Sequence, residues 1–170
     1  MTSSAEQIRA YSGLALFSYG FRPFFLFGAA WAALAMALWL PMLANLISLP
    51  TAMSPVEWHS HEMLFGFVPA IVAGFLLTAV PNWTGRLPVT GARLMVLFAI
   101  WLAGRAAIML SAAIGPVPSA VIDLSFLGAL IAIIAREIVA AGNLRNLKVL
   151  AAVALLFVAN ALVHLESTLS

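Results

Sequence analysis

Cysteine is absent from this 170-residue chain. That excludes disulfides, thiolate metal sites and cysteine nucleophiles, and leaves His, Met, carboxylate and backbone groups as the available metal ligands. Charge is nearly as scarce: 8% of residues are charged and 64% hydrophobic, against roughly 25% charged in an average soluble domain. Surface-to-volume scaling prevents a water-soluble fold of this size from hiding so much apolar surface, so the excess must face lipid. The net charge of +2 and pI near 9.7 do not point to nucleic acid, because the eight basic residues lie scattered between apolar runs and form no basic stripe. The chain also lacks a phosphate-cradling glycine loop with a lysine, a nucleophile elbow and a zinc-protease HExxH. Its first twenty residues contain no apolar core followed by a small-residue cleavage site, so no removable signal peptide is expected.

What is present is hydrophobic length. A spanning helix needs roughly 20 mostly apolar residues, and five stretches qualify, at about 24–47, 60–82, 91–112, 117–136 and 147–165. The expected fold is all-α: one polytopic transmembrane bundle over 1–170, with short connections that make successive helices antiparallel neighbours. Arg9 and Arg22 precede the first span, Arg86 and Arg93 separate the second from the third, and Arg136, Arg145 and Lys148 separate the fourth from the fifth. The positive-inside rule therefore puts the amino terminus and these loops in the cytoplasm, and the 48–59 and 113–116 loops outside. Tyr19, Trp39, Trp58 and Trp83 fall near expected interfaces, whereas Trp31 and Trp101 fall deeper and read as packing residues. Pro69, inside the second span, removes a helical hydrogen bond and is expected to kink the helix near Phe65. Gly66, Ala70 and Gly74 recur every four residues, a smooth strip for close approach of another helix.

Polar residues at membrane depth need a reason, since a charge there costs about 2.5–3.5 kcal/mol on insertion scales. Arg105 in the third span and Asp123 in the fourth each lie six or seven residues from the outer end, roughly 10 Å down at the helical rise. They are level, and an intramembrane ion pair between them is expected. It reads either as a clamp between helices or as the holder of an anionic group such as a haem propionate. The segment EWHSHEM collects Glu57, His59, His61, Glu62 and Met63 at the outer end of the second span. On a continuous helix Glu57 and His61 share one face and His59, Glu62 and Met63 another. His59 and His61 then share a metal only if the helix begins after His59; otherwise they serve separate sites. His164 closes the fifth span at the same outer side, so all three histidines converge on one leaflet. Each imidazole reads either as an interfacial polar group or as a metal or haem ligand oriented by a neighbouring carboxylate.

Three stretches, SYGFRPFFLFGA, EWHSHEMLFGFVPAIVAGFLLTAVPNWTGR and the WLAGR at 101–105, resemble in order the NnrS family of bacterial membrane proteins. The resemblance implies a multi-pass haem- and copper-containing protein of the bacterial inner (cytoplasmic) membrane, linked to the response to nitric oxide (nitrosative stress) and to denitrification. Family members run to about twice this length, so the chain is expected to be an amino-terminal portion or a shortened relative, with the carboxyl-terminal half or another membrane subunit as a partner alongside lipid. His59 and His61 stand in the family's HxHEM words and carry over as cofactor ligands, with His164 as a third. Met63 is a soft copper ligand, and Glu57 and Glu62 are carboxylates supporting the ligands. Sensing, scavenging and enzymatic conversion of the gas all stay open. Two other readings stand beside this one: a transporter or channel subunit whose Arg105 and Asp123 line a polar path, and a structural bundle that docks on another chain through the Gly66/Ala70/Gly74 strip.

Overall fold

The computed structural model describes residues 12–86 and 88–169; Arg9 lies outside them. Five helices are long and apolar enough to cross a membrane, and no strand occurs among the described residues. They are α1 (Phe21–Leu43), α2 (Pro55–Thr84, interrupted by a π turn), α3 (Gly91–Met109), α4 (Pro116–Ala140) and α5 (Leu147–Leu169). A 3₁₀ turn, Ala15–Ser18, precedes α1.

The helix ends differ from the sequence-based spans where local chemistry decides. α1 begins at Phe21 and ends at Leu43, because Pro23 is tolerated in a first turn and Asn45 turns the chain with a φ of 54°. α2 starts at Pro55, five residues before the expected 60, because Ser54 and Glu57 form a reciprocal capping box there, with Pro55 in the first turn. Hydropathy does not register such a cap. His59 and His61 therefore lie on one continuous helical stretch.

Around Phe65, just before Pro69, α2 carries a π turn. α2 runs as α-helix over Pro55–His61, as a π turn over Glu62–Phe67 and as α-helix over Val68–Thr84. The Val68 N–H bonds to the Met63 carbonyl, five residues back, so the ladder has already slipped by one residue where Pro69 withholds its donor. A π turn holds one residue more than an α turn and rotates everything before it relative to everything after it. It thus re-aims the His61–Glu62 end of α2 over the face that Gly66 and Ala70 define.

α4 packs against α2, α3 and α5, and α1 packs against α2. The main core joins Phe24, Leu76, Leu97, Trp101, Phe126, Leu130 and their neighbours; a smaller cluster at one end holds Ala35, Met42, Trp58 and Ile108. Trp58, expected at an interface, is fully buried in that cluster. At the opposite end Arg86 pairs with Glu137, and Asn143 donates to the Trp83 carbonyl, tying the two basic connections together.

The small-residue strip is filled by the chain itself. A Cβ on Gly74 would lie 2.6 Å from the Phe25 ring and 3.3 Å from Phe21 Cα, and Ala70 faces Gly28. Docking of another polypeptide on this strip is thereby corrected to packing of α2 on α1. Gly74→Leu is expected to destabilise the bundle by about 1–3 kcal/mol through overpacking, measurable as a lower midpoint of thermal unfolding in detergent.

Candidate metal centre

Four helices deliver polar side chains to one buried point. α2 supplies His61 and Glu62, α3 supplies Arg105, α4 supplies Asp123, and α5 supplies Asn160 and His164; none is more than 5% exposed. Close approach depends on glycine at two places. Gly104 lets α4 pass so near that a Cβ would sit 3.2 Å from Asp123 Oδ1, and Gly66 leaves room for the Arg105 guanidinium, which a Cβ would approach to 2.3 Å.

Arg105 is held between two carboxylates. It donates to Glu62 Oε2 at 2.7 Å and, from its other terminal nitrogen, to Asp123 Oδ1. Trp31 Nε1 also donates to Glu62 Oε2, at 2.5 Å, and Trp101 Nε1 donates to the Gly66 carbonyl at 2.9 Å. The Trp101 bond satisfies an acceptor within the π turn. Desolvation makes such a network costly unless every charge is matched. With neutral imidazoles, two carboxylates face one guanidinium, and one negative charge is left over.

That excess lies next to the histidines. His164 Nε2 is 3.1 Å and His61 Nε2 3.5 Å from the same oxygen, Asp123 Oδ2. Asn160 bridges them, its Nδ2 donating to Asp123 Oδ2 at 2.7 Å and its Oδ1 lying 3.1 Å from His61 Nε2. On the far side of the ring, His61 Nδ1 and Glu62 Oε1 are 3.6 Å apart, and both are buried without a hydrogen-bond partner. One ligand atom each from His61, Asp123 and His164 lie within 4.8 Å of one another. Imidazole nitrogens and carboxylate oxygens bind a small metal ion at about 2.0–2.2 Å, so only small side-chain movements separate this arrangement from a three-ligand site.

The other candidates are placed elsewhere. The His59 ring stacks on Trp39, with centroids 4.1 Å apart, while the His61 ring meets His164 at 5.3 Å. Met63 is half-buried against the Trp58–Met42 cluster, and Glu57 is exposed, its Oε2 accepting from the Ser54 N–H. Glu62 shares the α1-facing side of α2 with His59, as the helical projection expects, since Trp31 bonds to Glu62 and Trp39 stacks on His59; Glu62 also reaches Arg105 and lies 3.6 Å from His61. Asn160 was not among the candidate residues, although its place four residues before His164 puts both on one face of α5. Trp31, read as packing, carries a hydrogen bond to the centre.

No curated protein and no solved structure matches the chain. The family model described as NnrS protein matches residues 15–170, covering all five helices and every residue of the buried cluster, and the chain belongs to the NnrS family.

Proposed function

We propose that this chain is a metal-binding membrane protein of the nitric oxide response, in which His61, Asp123 and His164 hold a copper ion. The observation that carries the reading is the convergence of His61 Nε2 and His164 Nε2 on one oxygen of Asp123 inside the bundle. Imidazole suits copper, and a cation there offsets the negative charge that Arg105 leaves uncompensated. Glu62 Oε1 lies 3.6 Å from His61 Nδ1, so a small shift on metal binding would let that carboxylate orient the ring. The nitric oxide association, the inner-membrane location and the cytoplasmic amino terminus follow from the family resemblance and the positive-inside pattern.

The residues fit an ion and do not fit haem ligated by both rings. Asp123 and Asn160 occupy the space beside the two Nε2 atoms, and a macrocycle inserted between the imidazoles would have to displace both. A copper ion held by His61, Asp123 and His164 would supply a Lewis-acidic site for a small ligand, and the chain's own residues would orient that ligand, exclude bulk water and keep the charge balanced.

Metal analysis of protein purified after copper loading is expected to give one ion per chain with the optical bands of imidazole ligation, and nitric oxide is expected to perturb those bands. Protein that folds but takes up no copper would overturn the reading.

A further inference from the structure

The buried centre needs a way in. Its residues are sealed by α2, α4 and α5, yet His61 also forms part of the lining of a cleft of about 460 Å³ between the first turns of α2 and the last turns of α5. Among the described residues, two other hollows flank the bundle. One is lined by apolar side chains of α2 and α5, such as Phe75 and Val153, and the other lies at the opposite end of the helices around Tyr19 and Asn82. Neither includes a residue of the centre.

The chemistry of the His61 cleft is selective. Glu57 and Glu166 bring carboxylates to it, Ser60 and Ser167 bring hydroxyls, and no lysine or arginine lines it. A hydrated cation can trade water for such oxygens step by step, and a field of one sign raises the local concentration of counter-charge while repelling anions. His61 gives the second indication of a ligand: it is 3% exposed and its Nδ1 has no hydrogen-bond partner.

We infer that this cleft is the loading route by which a transition-metal cation reaches the His61–Asp123–His164 centre, with Glu57 and Glu166 as transient partners at its mouth. The inference rests on the metal-centre reading above. The route admits cations and small neutral molecules and rejects anionic chelates.

Stopped-flow absorbance of the full chain in detergent, mixed with copper(II), tests it. The Glu57→Gln/Glu166→Gln protein is expected to load about ten-fold more slowly at low salt, with a weaker dependence on ionic strength, while reaching wild-type occupancy. Gln at 57 keeps the capping box, so α2 still starts at Pro55. Ser60→Trp, which fills the cleft from an exposed position without changing charge, is expected to slow loading similarly. Loading at the wild-type rate in either variant overturns the route while leaving the centre standing. A wild-type chain that never binds copper overturns both.

Discussion

Arg105→Ala is expected to be the most damaging single substitution in the bundle, lowering stability by about 3–5 kcal/mol. The guanidinium faces Glu62 on one side and Asp123 on the other, and all three are buried. Removing it leaves two carboxylates in an apolar interior with no cation, and a cavity beside Gly66. Near 170 residues a loss of this size corresponds to a fall of roughly 10 °C or more in unfolding temperature, readable by circular dichroism in detergent. Arg105→Lys is expected to restore only part of the loss, because a single ammonium cannot present the two separate donor groups that Glu62 and Asp123 engage. The triple variant Arg105→Met/Glu62→Gln/Asp123→Asn, which removes every charge together, is expected to be far more stable than Arg105→Ala. A wild-type unfolding temperature for Arg105→Ala would show that the network carries no structural weight.

Substitutions at the histidines are expected to divide sharply. His61→Ala and His164→Ala should each weaken copper binding by more than about 100-fold, since even residues that only support a ligand typically cost 10–100-fold. His59→Ala should leave the affinity of this centre within a few-fold of wild type, because its ring packs on Trp39 and not on Asp123. Equilibrium competition with a colorimetric chelator measures all three. Equal losses at His59 and His61 would instead argue for a centre built from the two histidines of the HxH words.

The five helices were legible because lipid imposes a length and a composition that 170 residues can scarcely disguise. Helix ends were less so, since Ser54 and Glu57 act through a local cap that hydropathy does not see. The level placement of Arg105 and Asp123 followed from counting down antiparallel spans, and the two residues do meet. Which side chains share the buried point did not follow, because a face on one helix does not say which neighbours it meets. Projecting EWHSHEM onto an α-helix puts Glu62 with His59, and both do face α1, on Trp31 and Trp39; but Glu62 also reaches Arg105 past Gly66, which the projection does not show. Pro69 marks the π turn, and it points to a slipped ladder as much as to a bend. Asn160 is inconspicuous in the sequence for a different reason: it is uncharged, and only its spacing from His164 marks it.

The proposed centre depends on two imidazoles from different helices meeting at one ion. Pulsed electron paramagnetic resonance of the copper(II)-loaded chain counts them directly through the remote ring nitrogens. Wild type is expected to give the modulation of two imidazoles, falling to one in His61→Ala and in His164→Ala and staying at two in His59→Ala. A spectrum with no imidazole, or one that neither of the first two substitutions changes, would contradict it.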